Sequence, residues 1–435
     1  MIFDKESDFE KAVIDQLIES GWESEVLRYP TEQDLVNNWA AILFNNNRQQ
    51  DSLNDCPLTD TEMNQIMEQI IQLRTPLNLN EFINGKSVSI RRDNPADKLH
   101  YGKEVSLKIY DRREIAAGES RYQIVQQPKF NTKAILNDRR GDLMLLINGM
   151  PVIHIELKKS EIPVSRAYNQ IEKYAREGVF TGLFSLIQIF VAMEPEEAVY
   201  FANPGPDGVF NKAFYFHWAD FDNEPINHWK DVVSELLNIP MAHTLVGFYT
   251  IPDKKDDTLK VMRSYQYYAA TRIADRVTKK DWNDRNLLGG HIWHTTGSGK
   301  TLTSFKSAQL IASWHDADKV IFLVDRKALG TQSFDDYRGF ASQGDVVQDT
   351  ADTEILVSKL KSDDADNTLI ITSIQKLSSV TKDAENIKTA DLEKIVSKRI
   401  VIIIDEAHRS TFGEMLTNIK NTFRHAILFE RTYPH

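Results

Sequence analysis

Apolar side chains recur at helical spacing along residues 6–21: Phe9, Val13 and Leu17 form one line, Ile14 and Ile18 the next, and Gly21 closes the run. More helix is predicted between Thr31 and Phe82, with Trp39, Leu43, Ile66, Ile70 and Leu73 as core. Residues 99–127 turn strand-like and polar. Two apolar runs follow, Asp142-Leu-Met-Leu-Leu-Ile147 and Met150-Pro-Val-Ile-His-Ile-Glu156, separated by Asn148-Gly149. An Asn-Gly pair accepts positive φ at both positions, so these runs predict a hairpin. A helix over Arg166–Gly178 and a buried strand over Leu186–Met193 are expected next.

The pattern changes at Pro252-Asp-Lys-Lys-Asp-Asp257, a proline-led charged stretch that reads as solvated. It divides the chain into a domain over 1–250, a linker over 251–260 and a domain over 261–435. In the last of these, Gly290–Trp293, Val320–Val324, Thr368–Thr372 and Ile400–Ile404 are apolar runs without alternation, interleaved with helical segments. Strands buried on both faces read this way, and the expected class is α/β with a parallel sheet.

Composition narrows the class. With 435 residues, 41% hydrophobic and 26% charged, the chain is globular and long enough for two to three domains. Its single cysteine, Cys56, cannot form an internal disulfide, and the least charged apolar stretch, Gly182–Met193, is too short to cross a bilayer. No signal peptide is read at the N-terminus, so a cytoplasmic protein without membrane partners is expected. The net charge of −11 repels phosphate overall, so nucleic acid would need a local basic patch.

Two constellations carry candidate chemistry. The first is His294-Thr-Thr296-Gly297-Ser298-Gly299-Lys300-Thr301, between a strand and a helix over Leu302–Trp314. A glycine-rich turn at a helix N-terminus directs backbone N–H groups at a phosphate chain. Lys300 would reach the β- and γ-phosphates of ATP, and the Thr301 hydroxyl would ligate Mg²⁺. The loop opens with His294 where the usual pattern has glycine. The strand Ile400–Ile404 ends in Asp405-Glu406-Ala-His408, which places Asp405 to hold the metal and Glu406 to polarise the attacking water. These motifs resemble the first RecA-like domain of a superfamily 2 helicase or translocase. That resemblance implies that Gln266 reads the adenine edge and that Arg326, Lys327 and Thr372 lie at DNA-backbone contacts.

The second constellation is Asp142, Glu156 and Lys158. Two carboxylates can hold a divalent metal at a phosphodiester, and a neighbouring lysine can stabilise the attacking oxygen. Glu156 and Lys158 share a strand face. A plain Asn-Gly turn would send Asp142 to the other face, so the chemistry requires an odd register, for example Ile147-Asn-Gly149 as a three-residue loop with Gly149 bulged. The opposite parity, Leu143, Leu145, Ile153, Ile155 and Leu157, is apolar throughout. Gln170 and Tyr174, four apart on the next helix, face one way and could orient phosphate or DNA, and Glu10 could add an acid near the metal. The set resembles the PD-(D/E)xK nuclease fold, a mixed sheet with flanking helices.

Nuclease followed by motor resembles the restriction subunit of type I restriction–modification enzymes. Matching segments include Glu6-Ser-Asp8, Asn148-Gly-Met-Pro151, Ile155-Glu-Leu-Lys-Lys159, Asn169-Gln-Ile171, Tyr200-Phe-Ala-Asn203, Ile292–Ser304, Val324-Asp-Arg-Lys327 and Asp405–Ser410. The resemblance implies cleavage of unmodified double-stranded DNA coupled to ATP-driven translocation, with methylation and specificity subunits as partners. Members of the family are longer, and Leu428–His435 stands where they continue into a further motor element. A truncated form lacking the second motor lobe and C-terminal domain is therefore expected, with impaired ATPase activity. The alternatives are a solitary DNA-repair helicase–nuclease and a catalytically inactive fragment that docks on DNA or partner subunits.

Overall fold

The computed structural model describes residues 2–432 apart from 86, 113, 115–119, 131–138, 283–288, 294–298, 325–347, 350–352, 365–366, 381–386 and 405–412, with backbone alone at 291–293, 300, 348–349 and 431–432. The chain forms two compact units, Met1–Ser264 and Tyr265–His435.

The first unit opens with helix α1 (Glu6–Glu19), followed by α2 (Glu32–Asn47), α3 (Asp60–Leu73) and α4 (Pro76–Asn84). Thr31 and Thr59 each start their helix with a capping box, closed by Asp34 and Glu62 respectively. Trp39, Leu43, Ile66 and Ile70 are buried, whereas Leu73, in the last turn of its helix, is only partly so. The strands are β1 (Leu27–Arg28), β2 (Ser87–Arg91), β3 (Glu104–Lys108), β4 (Tyr122–Gln126), β5 (Leu143–Ile147), β6 (Met150–Leu157), β7 (Ile189–Glu194) and β8 (Glu197–Ala202). β2 and β3 pair with each other, and the rest form a sheet in the order β1-β4-β5-β6-β7-β8. Parallel pairing joins β1 to β4 and β6 to β7, while the remaining neighbours run antiparallel, giving a mixed sheet. Helix α5 (Ser165–Arg176) makes the crossover between β6 and β7.

The β5–β6 hairpin resolves the question of parity. Asn148 and Gly149 adopt φ of 50° and 84°, and Ile147 pairs with Met150, so the turn itself has two residues. Leu146 then faces Pro151, but Leu145 faces Ile153, which leaves Val152 as an extra residue in β6. The required irregularity is therefore present at Val152 and not at Gly149. Pro151 supplies the reason: it has no N–H for the ladder, and a central strand tolerates proline at a bulge. Beyond the bulge, Leu143 faces Ile155, so the next position brings Asp142 opposite Glu156 on one face.

Residues 251–260 are not a linker. β9 (Thr250–Asp253) and β10 (Thr258–Val261) form an antiparallel hairpin of the first unit. Ile251, Leu259 and Val261 are buried, and Lys254 Nζ meets Glu81 of α4 at 2.6 Å. The charges that suggested a linker occupy the turn, while apolar residues on both strands supply the buried side.

The second unit begins with helix α8 (Ser264–Thr278); α6 (Trp229–Glu235) and α7 (Met241–Phe248) precede it in the first unit. Its strands are β11 (Gly289–Trp293), β12 (Lys319–Val324), β13 (Gln348–Asp349), β14 (Leu369–Ser373), β15 (Ile400–Ile404) and β16 (Ile427–Thr432). They stand in the order β11-β16-β15-β12-β14-β13, with every pairing parallel. Ile321, Leu323, Ile370, Ile402 and Ile404 share its core. β16 was not anticipated, because its end, Glu430-Arg-Thr432, is polar and weakens the apolar run. It inserts between β11 and β15. Among the described residues, no helix is long and apolar enough to cross a membrane.

Candidate active site

Four elements build a carboxylate centre at the open end of the β5–β6 hairpin. Glu156 in β6 is 0% exposed, and neither carboxylate oxygen has a hydrogen-bond partner. Asp142, opposite it, accepts the Leu157 backbone N–H at 2.7 Å through Oδ2, which ties the carboxylate to β6. Lys158 Nζ lies 3.6 Å from Glu156 Oε1 and 3.7 Å from Glu6 Oε1 of α1, and it donates to its neighbour's carbonyl, Leu157 O, at 2.6 Å. Glu10, 5% exposed on α1, accepts from the side-chain amides of Gln126 and Gln127, while the Gln127 backbone N–H donates to Asp142 O at 2.8 Å. The end of β4 thus connects Glu10 to the Asp142 strand.

The electrostatics of two buried acids follow from burial and proximity. Desolvation, offset in part by Lys158, pushes the Glu156 carboxyl up to about 8. Asp142 is also pushed well above the usual carboxylate range, first by burial and then by the charge of Glu156. Two acids held this way bind protons in the absence of a cation and become ligands when one arrives. Among the described residues, no three His, Cys, Asp or Glu side chains converge on a metal. A two-carboxylate site nevertheless suits Mg²⁺, which keeps several waters and binds through one or two carboxylates together with substrate phosphates. The buried oxygens of Glu156, which accept no hydrogen bond, are the observation that such a cation fits.

Gln170 and Tyr174 bind each other and the strand. Gln170 Nε2 donates to Tyr174 Oη at 2.7 Å, and Tyr174 Oη donates to the Arg140 carbonyl at 2.8 Å. In this conformation their polar atoms clamp the backbone two residues before Asp142. Burial raises the Tyr174 phenol far above its ordinary value, so it stays a neutral donor.

His154 was missed, although it lies two residues before Glu156 and so shares its strand face. It is fully buried, its Nε2 is 3.4 Å from Glu156 Oε2, and burial pushes its imidazole down to about 4. The rings of Phe130, Phe180 and Phe190 surround it, with centroids at 6.1, 5.5 and 6.2 Å. A Cβ added at Gly141 would meet His154 Cε1 at 2.6 Å and Phe130 Cζ at 3.0 Å. Gly141→Ala is therefore expected to destabilise the protein by about 1–3 kcal/mol through overpacking, read by urea denaturation; wild-type stability would show that the contact is absent.

In the second unit, the helix α9 (Lys300–Trp314) begins immediately after Gly299, whose φ is 72°. Gln266 Nε2 donates to Gly299 O at 3.3 Å, so the glutamine of α8 sits against the end of the glycine loop. Thr301 is half-buried in the first helical turn. Because all strands are parallel, β11 and β15 end at one edge of the sheet, separated by β16. Two strand spacings put these ends roughly 10 Å apart. Thr372 is fully buried in β14, so this conformation does not present its side chain to a DNA backbone, contrary to the expected contact. Thr296, Gly297, Ser298, Arg326, Lys327, Asp405 and Glu406 lie outside the described residues.

Comparison with known proteins places both units. Residues 4–208 match the family model of the type I restriction enzyme R protein N terminus, and residues 265–432 match that of the SWI2/SNF2 ATPase. A type I restriction enzyme endonuclease subunit of Staphylococcus saprophyticus is 35% identical over 99% of this chain and 42% of its own length. One of Staphylococcus aureus is 32% identical with the same coverage. A Mycoplasma pneumoniae chain described as the C-terminal part of a type I restriction enzyme endonuclease subunit is 38% identical over 47% of this chain and 99% of its own length. The chain thus spans less than half the length of the staphylococcal relatives. With both units matched in order, and one relative covered almost end to end, the chain belongs to the family of type I restriction enzyme endonuclease subunits.

Proposed function

We propose that the first unit is a PD-(D/E)xK-type, metal-dependent endonuclease and the second the first RecA-like lobe of a superfamily 2 motor. Together they would cleave unmodified double-stranded DNA with ATP-driven translocation in a cytoplasmic assembly with methylation and specificity subunits. The observation that carries this reading is the pair Asp142 and Glu156, facing each other on adjacent strands with Lys158 beside them.

Asp142 and Glu156 would hold Mg²⁺, which when bound neutralises phosphodiester charge and lowers the proton affinity of water. Lys158 donates to the attacking or developing oxygen, and the burial of the site strengthens that interaction. Gln170 and Tyr174 keep the Asp142 strand in register through the Arg140 carbonyl. Glu10 restrains the same strand through Gln127. In the motor lobe, the loop Thr296–Thr301 would cradle the ATP phosphates, with Lys300 on the β- and γ-phosphates and Thr301 and Asp405 on Mg²⁺. Gln266 would read the adenine and Glu406 would orient water, while Arg326 and Lys327 would contact the DNA backbone.

Purified chain, alone and with methylation and specificity subunits, is expected to nick supercoiled plasmid when Mg²⁺ is supplied and not when it is chelated. Absence of metal-dependent cleavage in both settings, with the chain folded, would defeat the nuclease reading.

A further inference from the structure

We propose that His154 is a positioning residue of the nuclease centre: its imidazole holds the Glu156 carboxylate in the orientation that receives the divalent cation. This rests on the nuclease reading above and assigns the buried histidine a role within it.

The argument begins with placement. Alternation along β6 puts His154 and Glu156 on one face, and the parallel register with β7 puts His154 beside Phe190. Phe180 and Phe130 close the remaining sides, and Gly141 brings the backbone of the Asp142 strand against the ring edge. The ring is therefore clamped by the same strand that carries Asp142. Its Nε2 stands 3.4 Å from Glu156 Oε2, and neither ring nitrogen has a hydrogen-bond partner. A small rotation of either side chain turns that approach into a hydrogen bond.

A second point concerns chemistry. An aromatic pocket of this size is filled more cheaply by phenylalanine, since a buried polar ring without partners costs free energy. A histidine aimed at a buried carboxylate that accepts no hydrogen bond is explained if that carboxylate must be steered. Lys158 approaches Oε1 at 3.6 Å, so the two oxygens of Glu156 have separate neighbours, lysine on one and histidine on the other. Carboxylates that bind metals are themselves held by hydrogen bonds, and losing such a partner weakens metal affinity by about 10–100-fold.

The test compares two replacements in the full chain without nucleotide, with Mn²⁺ binding read by calorimetry and folding by thermal melting. His154→Phe, which suits the aromatic pocket, is expected to weaken Mn²⁺ binding by about 10–100-fold. His154→Gln, which keeps a polar group able to reach Oε2, is expected to bind more tightly than His154→Phe. A purely structural histidine gives the reverse order, because phenylalanine fits the pocket and glutamine does not. Wild-type Mn²⁺ affinity in His154→Phe, or weaker binding in His154→Gln than in His154→Phe, overturns the proposal. Asp142→Asn in the same titration separates the two levels: if it also binds like the wild type, the nuclease reading itself fails. Should either His154 variant fail to fold, a Mg²⁺-soaked crystal structure of the wild type decides. Nε2 within hydrogen-bond distance of Glu156 Oε2 supports the role, and a carboxylate turned away from the ring refutes it.

Discussion

Glu156→Gln is expected to abolish DNA cleavage while making the metal-free protein more stable at pH 8. The acid is 0% exposed and its pKa in the folded chain is raised from 4.5 to about 8. A carboxyl raised in this way favours folding in its protonated form. That contribution is complete below 4.5, the unfolded value, and is lost progressively as the pH rises toward about 8. Burying the acid thus costs on the order of 3–5 kcal/mol by pH 8, since each tenfold change in proton affinity is worth about 1.4 kcal/mol. A neutral amide of the same shape avoids this cost. Urea denaturation at pH 5 and pH 8 should show the variant gaining relative stability at the higher pH. Cleavage should fall by three orders of magnitude or more (~10³), as expected when a metal-holding carboxylate is lost. The same burial governs the wild type: the cation must displace the protons that the two acids hold, so its apparent affinity should rise by about tenfold or more per pH unit below about 8. A variant that cleaves like the wild type, or that loses stability at pH 8, would contradict the assigned role.

Lys300→Ala is expected to remove nucleotide binding by the second unit, with affinity for a labelled ATP analogue falling on the order of 100-fold or more. Lys300 opens α9 directly after Gly299, where the positive φ turns the chain into the helix. A cation there would be the charge partner of the β- and γ-phosphates, since the helix N-terminus alone supplies only a partial charge. Asp405→Asn should spare nucleotide contact and instead remove its dependence on Mg²⁺. Unchanged analogue affinity in the Lys300 variant, measured by calorimetry on protein with wild-type melting, would sink the phosphate-loop assignment.

Much of this architecture was visible in the sequence for identifiable reasons. Non-alternating apolar runs mark strands covered on both faces, and β12, β14 and β15 follow from them. The Asn148-Gly149 pair located a turn because few residues accept positive φ twice in succession. Glu156 and Lys158 were assignable to one face because strand alternation is local, and His154, at the same parity, could have been found by extending that count two residues upstream. The charged residues of 251–260 misled because composition records solvation and not pairing, and a β-turn is as well solvated as a linker.

What sequence by itself determined is therefore whatever local periodicity and turn chemistry dictate: the strongly periodic helices, the non-alternating strands, the Asn-Gly hairpin and the face shared by Glu156 and Lys158. Tertiary structure alone decided whether Asp142 joined them. The outcome turned on one extra residue in β6, and the sequence permitted it at Gly149 or at Val152 without discriminating between them. Partners distant along the chain were equally out of reach, among them Gln126 and Gln127 on Glu10, Tyr174 on the Arg140 carbonyl, and β16 between β11 and β15. The physical reason is that alternation and capping act over a few residues, whereas strand order and the burial of a carboxylate arise only when remote segments pack, and packing contacts leave no periodic trace along the chain.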